Sequence, residues 1–506
     1  MGKLYDKLEE YGKSDFYPYH MPGHKRRASV GLPEELARLD ITEIEGFDNL
    51  HQAEGILREL QERASKLYGA EETFYLVNGS TCGILSAISA ALPLGGHILM
   101  ARNSHKSAYH AAYLRTLTIS YLYPDLLSEY DIAEAVAPEQ VRKALDDKPD
   151  IGAVFVVSPT YEGRIADIKA IAGIVHEKGI PLIVDEAHGA HLGLAEGFAE
   201  NSCRLGADIV IHSVHKTLPA MTQTALLHVN GDRINRTKLE RFLHIYQSSS
   251  PSYVLMGSID NALQLVENQG TELFKNFRER FLKLLENLQV CRHLQFIPFQ
   301  EGLQDIGKLV ISAKKTGLSG QQIYDMLLQE YHLQLEMAAG SYCLAMFTIS
   351  DTPEAYERME KALLEIDRKI GEGNVQELCR ADNLDMVDVG CKDIVGPENR
   401  NVDVANSLCT ATQIISEQKP QCRKPIPLSR AWDMPYERVP LRDAVGRRVA
   451  EFVNLYPPGI PLLVPGEVLQ AQQYEMLLEY FAQGLTVQGA EKEMPHFIKV
   501  LTDKGL

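Results

Sequence analysis

The sequence predicts an α/β layer sandwich built on a mainly parallel sheet. Short apolar runs recur through the first half of the chain, and amphipathic helical patterns lie between several of them. Residues with chemical capability fall at, or just beyond, the ends of those runs. In such sheets ligands sit at the carboxyl ends of the strands.

The expected strands are Thr73–Val77, His97–Ala101, Ala153–Val157, Leu182–Val184, Asp208–His212 and Leu226–Val229. A helical period places Ile56, Leu57, Leu60, Ala64 and Leu67 on one face between Glu54 and Tyr68. Further helices are expected over Ile132–Leu145, Ile168–Lys178 and Ser258–Leu288. At 506 residues the chain is too long for one core. It divides into an arm (1–60), a large α/β unit (61–289), a small unit (290–370), a linker segment (371–424) and a C-terminal domain (425–506). The small unit has strand-like Lys308–Ser312 and Ala345–Ile349. In the last segment, Tyr456-Pro457-Pro458-Gly459-Ile460-Pro461 and Pro465-Gly466-Glu467 read as a fixed loop.

The formal net charge of −17 argues against a nucleic-acid partner, which calls for clustered Lys and Arg. No apolar run approaches the ~18 residues of a membrane span. The charged first residues do not form a signal peptide. Eight scattered cysteines without a C-x-x-C pair read as reduced thiols, so a cytoplasmic setting is expected.

The strongest local signal is Ser213-Val214-His215-Lys216-Thr217, directly after an apolar strand. A lysine held there, partly desolvated and beside other cations, is suited to imine chemistry; the alternative is a surface lysine in a polar loop. Asp185-Glu186-Ala187-His188-Gly189-Ala190-His191 follows another strand. A carboxylate there can hold a pyridine nitrogen protonated, whereas a helix cap or a metal set of Asp185, His188 and His191 are its rivals. Asn78-Gly79-Ser80-Thr81-Cys82-Gly83 offers a tight turn, a cap at Ser80 and free N–H groups for a phosphate. His105 could stack on a planar ring or be a solvated loop histidine. Ser158-Pro159-Thr160-Tyr161 could supply hydroxyls to a cofactor edge or form a plain turn.

In order along the chain these stretches resemble fold-type I pyridoxal-phosphate (PLP) enzymes, and specifically the Orn/Lys/Arg decarboxylase family. The resemblance also rests on His20-Met21-Pro22-Gly23-His24-Lys25, Asp40-Ile41-Thr42-Glu43, Asp48-Asn49-Leu50-His51 and the tail through Pro465-Gly466-Glu467. It implies an aspartate aminotransferase-like three-layer sandwich with smaller C-terminal domains. It implies PLP linked to Lys216, Asp185 on the pyridine nitrogen, His105 stacked on the ring and His188 near its O3′ side. Ser80, Thr81, Ser213 and His215 are implied around the phosphate, with Thr160 at a cofactor edge. Lys216 or His215 would return a proton to Cα. Glu467 is the candidate to read the cationic end of a basic amino acid, with arginine favoured over lysine and ornithine. A homodimer or higher homo-oligomer with a shared site is implied, as is the short, polyamine-forming branch. Ile211 and Pro219 stand where many members have small residues. An aminotransferase, an aldolase or a non-catalytic relative would keep much of the same pattern.

Overall fold

A computed structural model of the chain describes residues 2–27, 33–373, 426–455 and 459–502. Its centre is a seven-stranded sheet. The strands are β1 Glu72–Leu76, β2 His97–Ala101, β3 Thr118–Leu122, β4 Ala153–Val157, β5 Leu182–Asp185, β6 Ile209–Ser213 and β7 Ala225–Val229. Their order is β1-β7-β6-β5-β4-β2-β3. Pairing is parallel from β3 across to β6, and β7 runs antiparallel between β6 and β1. The mainly parallel α/β sheet expected from the sequence is present, and all strands but β7 end on one edge.

The apolar runs are continuous because both faces of the sheet are covered. In β4, Val154 and Val156 enter one core and Ala153 and Phe155 the other. Helix Gly79–Ala91 lies close enough to the sheet that a Cβ on Gly83 would meet Leu76 Cδ1 at 2.7 Å and Ile211 Cγ2 at 3.2 Å. Bare Gly83 is what lets the larger Ile211 sit fully buried in β6. Pro219, the other departure, is on the surface.

Several elements differ from expectation. Strand β3 was not anticipated: it is an edge strand whose exposure alternates, so Thr118 and Ser120 break its apolar run. The helix expected over Ile132–Leu145 starts at Pro138, which sits in its first turn, while Ile132–Ala133 pairs with Leu126–Leu127. The first residues are helical over Lys3–Lys13, with Leu4 and Leu8 buried against the 36-residue helix Tyr253–Leu288. Leu4 N–H donates to the buried carboxylate of Asp260 at 2.7 Å. Asp48 collects the N–H groups of Glu54, Gly55 and Leu57 at 2.8–3.0 Å, fixing the start of helix Ile56–Tyr68.

A second, antiparallel sheet joins Gln295–Phe296, Lys308–Ser312, Tyr342–Met346 and Met337–Ala338. Its Tyr342–Met346 strand lies earlier than the Ala345–Ile349 expected. Among the described residues, buried side chains from Leu441 to Val500 build a further core, including Val453, Leu463, Met476 and Ile498. Within it Pro461–Leu463, expected as loop, pairs with Val453–Leu455 as a strand that Pro461 opens. The linker segment from 374 on and Tyr456-Pro457-Pro458 lie outside the described residues.

Candidate active site

Strand β6 ends at Ser213 and turns directly into the short helix Val214–Thr217, which carries Lys216. The turn is fixed by Val214 N–H on the Thr224 carbonyl (3.1 Å) and Leu218 N–H on the Val214 carbonyl (2.9 Å). Lys216 Nζ stands 3.0 Å from His188 Nε2. Burial pushes the Lys216 ammonium below the usual lysine range, and Asp185 and Glu336 pull it partly back. His215 turns Nδ1 to the Thr224 carbonyl at 2.8 Å, so Nδ1 carries the hydrogen and Nε2 is the accepting nitrogen.

Asp185 closes β5 and is almost fully buried. Its Oδ1 accepts the Ala187 N–H at 3.1 Å. Burial raises its carboxyl, while Lys216 and the Ala187 N–H oppose that rise. His188, one short turn on, is gripped at both ring nitrogens: Lys216 meets Nε2, and Lys308 Nζ meets Nδ1 at 2.8 Å. Tyr161 sets its ring edge-on to His188 at 4.7 Å between centroids. Burial first, and then the Lys216 and Lys308 charges, hold the imidazole well below its ordinary value, so it is neutral.

His105 caps helix Lys106–Leu114 through its own ring: Nδ1 accepts the Ser107 N–H at 3.2 Å. Burial, followed by the charges of Lys216 and Lys106, brings its pKa down to about 3. A neutral imidazole with Nδ1 accepting is an Nε2–H tautomer. Helix Gly79–Ala91 begins after Asn78, whose side chain does not cap it, so Ser80 lies in the first turn and is not the cap expected. Gly79 adopts φ +72°, and no atom lies within 4 Å of where its Cβ would be. Ser80 is half-buried and Thr81 exposed. The Thr160 hydroxyl accepts the Arg164 N–H at 3.1 Å and so serves its own turn.

Ser213 Oγ, Thr217 Oγ1 and Asn103 Oδ1 are buried without a hydrogen-bond partner. Orphaned polar atoms of this kind call for a further partner such as water or a ligand. With a buried carboxylate, a reactive lysine and an uncapped helix start on the same sheet edge, the donor set fits a phosphorylated pyridine aldehyde. It does not assemble the metal alternative: His188 faces two amines, and His191 Nε2 is taken by Asp305 Oδ1 at 2.7 Å. Among the described residues no group of three His, Cys, Asp or Glu could hold a metal ion.

Glu467 is placed differently from the role expected of it. Its Oε2 accepts Arg102 Nη2 at 3.0 Å and the Val464 N–H at 2.9 Å. Arg102 is fully buried and also donates to the Pro461 carbonyl at 2.6 Å and the Leu462 carbonyl at 3.1 Å. Glu467 is thus a counter-charge that fastens the tail to the loop carrying His105. Glu467→Gln should cost about 3 kcal/mol, because it strands a buried guanidinium. A thermal or urea unfolding curve measures this, and an unchanged midpoint would count against the pairing.

Sequence reasoning missed Lys308, Glu336 and Tyr161 as parts of one cluster. Tyr161 O–H donates to Glu336 Oε1, and Glu336 acts on the charges of both Lys216 and Lys308. The available signal was Lys308 itself, an isolated charge at the start of an otherwise apolar strand.

The family profile described as "Orn/Lys/Arg decarboxylase, major domain" matches residues 3–308, and "Orn/Lys/Arg decarboxylase, C-terminal domain" matches residues 417–501. An arginine decarboxylase of Bacillus subtilis (strain 168) is 28% identical across 99% of this chain and 98% of its own length. The uncharacterized protein YaaO of the same strain is 31% identical across 97% of this chain and 96% of its own. The constitutive lysine decarboxylase of E. coli superposes with a TM-score of 0.80 at 18% identity, over 99% of this chain and 82% of that one. Sphingomonas wittichii serine palmitoyltransferase superposes with a TM-score of 0.51 at 16% identity over 62% of this chain and 76% of its own. A fold-type I sandwich and both family profiles thus meet in one sequence, and the chain belongs to the Orn/Lys/Arg decarboxylase family.

Proposed function

We propose that this enzyme removes the α-carboxylate of a basic L-amino acid with PLP as cofactor, arginine being the favoured substrate ahead of lysine and ornithine. The observation that carries the reading is the meeting of Lys216, His188 and Asp185 at the ends of neighbouring strands β6 and β5. Full-length relatives named arginine decarboxylase support the choice of arginine.

Lys216 is the attachment point for the cofactor, and Asp185 the partner for its pyridine nitrogen. Ser80, Thr81, Ser213 and His215 are the groups for its phosphate, with His105 against the ring and His188 on the O3′ side; Thr160, spent on its own turn, is a weaker contributor. When bound, PLP supplies the electron sink for the pair left behind as CO2 departs. The chain's own residues then manage protons. Lys216 Nζ delivers a proton to Cα in place of the lost carboxylate, or His215 does so after its accepting Nε2 has taken one up. Asp185, desolvated and fixed by the Ala187 N–H, keeps a negative charge where it cannot be screened by water.

Glu467 is spent on Arg102, which leaves Glu336 as the acid to meet the cationic end of the substrate. Its side chain is exposed, yet it is close enough to influence Lys216. The reading includes a homodimer or higher homo-oligomer with a shared site, a cytoplasmic setting and a product amine that feeds polyamine synthesis. Purified protein with PLP should release CO2 and the matching amine from arginine, with lower kcat/KM for lysine and ornithine. Glu336→Gln should raise KM by about tenfold, the loss of one charge-assisted contact. No CO2 from any of the three, with amino-group transfer to pyruvate or 2-oxoglutarate instead, would replace this reading by an aminotransferase. A strictly monomeric sedimentation profile would remove the shared site.

A further inference from the structure

One buried imidazole here lies between two amines. His188 Nε2 is 3.0 Å from Lys216 Nζ and His188 Nδ1 is 2.8 Å from Lys308 Nζ. Both His188 and Lys308 are nearly sealed from solvent, at 6% and 4% exposure. A neutral imidazole has one donating and one accepting nitrogen, while an ammonium only donates. Two ammonium groups therefore cannot both bond this ring. One lysine is charged and gives a hydrogen to the accepting nitrogen; the other is a neutral amine that receives the ring N–H.

The surroundings decide which is which. Lys308 is faced by Asp305 from its own segment, Glu162 from the loop after β4 and Glu336 from the small sheet. Asp305 keeps a buried oxygen without a partner even after pairing with His191. Lys216 is faced by the acids Asp185 and Glu336, with neutral His105 and His188 beside it and Lys308 across the ring. Three carboxylates around Lys308 favour the charge there. Lys308 Nζ also lies 5.8 Å from the centroid of the Tyr161 ring, whose π face favours a cation.

We propose that Lys308 is a positioning residue: its ammonium fixes His188 as the Nε2–H tautomer, and that N–H holds the Lys216 side chain as a free amine ready to bond the cofactor aldehyde. The inference rests on Lys216 being the attachment lysine and adds to it a reason for its reactivity. Lys308 does not touch the reacting atoms; it acts through the ring of His188.

The test follows the rate at which added PLP becomes borohydride-stable on the cofactor-stripped full-length chain, across pH, with the labelled peptide identified by mass spectrometry. In Lys308→Met a positive neighbour is lost, so the Lys216 ammonium is easier to keep and its titration moves up. Attachment at pH 7 should slow by about tenfold or more and recover as the pH is raised, a shift of at least about one pH unit. Lys308→Arg keeps the charge and should restore the profile toward that of the wild type. A Lys308→Met profile that coincides with the wild type, with the label still on the Lys216 peptide, overturns the proposal. Label on a different lysine overturns the site assignment, and the proposal with it. Should Lys308→Met fail to fold, NMR titration of 13C-methylated lysines in the wild-type chain gives the answer. A neutral Lys216 with a charged Lys308 at pH 7 supports the proposal; two charged amines, or a charged Lys216 with a neutral Lys308, refute it.

Discussion

Lys216→Ala should abolish amine formation, lowering kcat by at least about 10⁴-fold, the scale of loss when a member of a covalent catalytic unit is deleted. The backbone around it is tied down independently of the side chain, through Val214 and Leu218, and alanine is a favourable residue in a helical turn. The variant should therefore fold, with little change in its unfolding midpoint. It should also show no borohydride-stable cofactor on the corresponding peptide. Loss of activity together with loss of folded protein would not meet this expectation. Near-normal activity in a folded variant would place the chemistry on another residue.

Asp185→Asn should separate activity from stability in opposite directions. The amide is the same size as the carboxylate, and its oxygen can still accept the Ala187 N–H that Oδ1 accepts at 3.1 Å. What disappears is a negative charge that burial makes costly to keep. With the cofactor absent, the variant should be at least as resistant to heat as the wild type. In the turnover assay, kcat should fall by about 10²–10⁴-fold, the range for a group that governs one proton. Such sites commonly trade stability for function. A variant that is both less stable and nearly as active would mean that Asp185 supports the fold and not the reaction.

The sheet was legible because burial on both faces leaves an unbroken apolar run. His97–Ala101, Ala153–Val157 and Lys308–Ser312 stand where the sequence puts them. Edge strand β3 was not, since exposed Thr118 and buried but polar Ser120 dilute the signal. Ile132–Leu145 was misread because its apolar spacing spans a short strand pair as well as a helix, and Pro138 marks the true start. At the site, residues adjacent to a strand end could be read locally: Asp185, His188 and Lys216 are of this kind. Lys308 and Glu336 could not, because they reach the cluster from a second sheet more than 90 residues farther along. Periodicity carries no information about which distant strand will face which. The true partner of Glu467 is hidden for the same reason, since Arg102 stands 365 positions away from it.

That last contact has a consequence for how the protein is made. Arg102 and Glu467 are 365 positions apart in the chain. At the usual pace of synthesis, ~5–20 residues per second, Glu467 leaves the ribosome about 20–70 s after Arg102. For that interval the first sheet emerges with a guanidinium that has neither its carboxylate nor the Pro461 and Leu462 carbonyls. The loop bearing His105 can reach its final arrangement only after Glu467 has emerged. The nascent large unit thus passes through a stage in which its sheet can form but its active-site rim cannot.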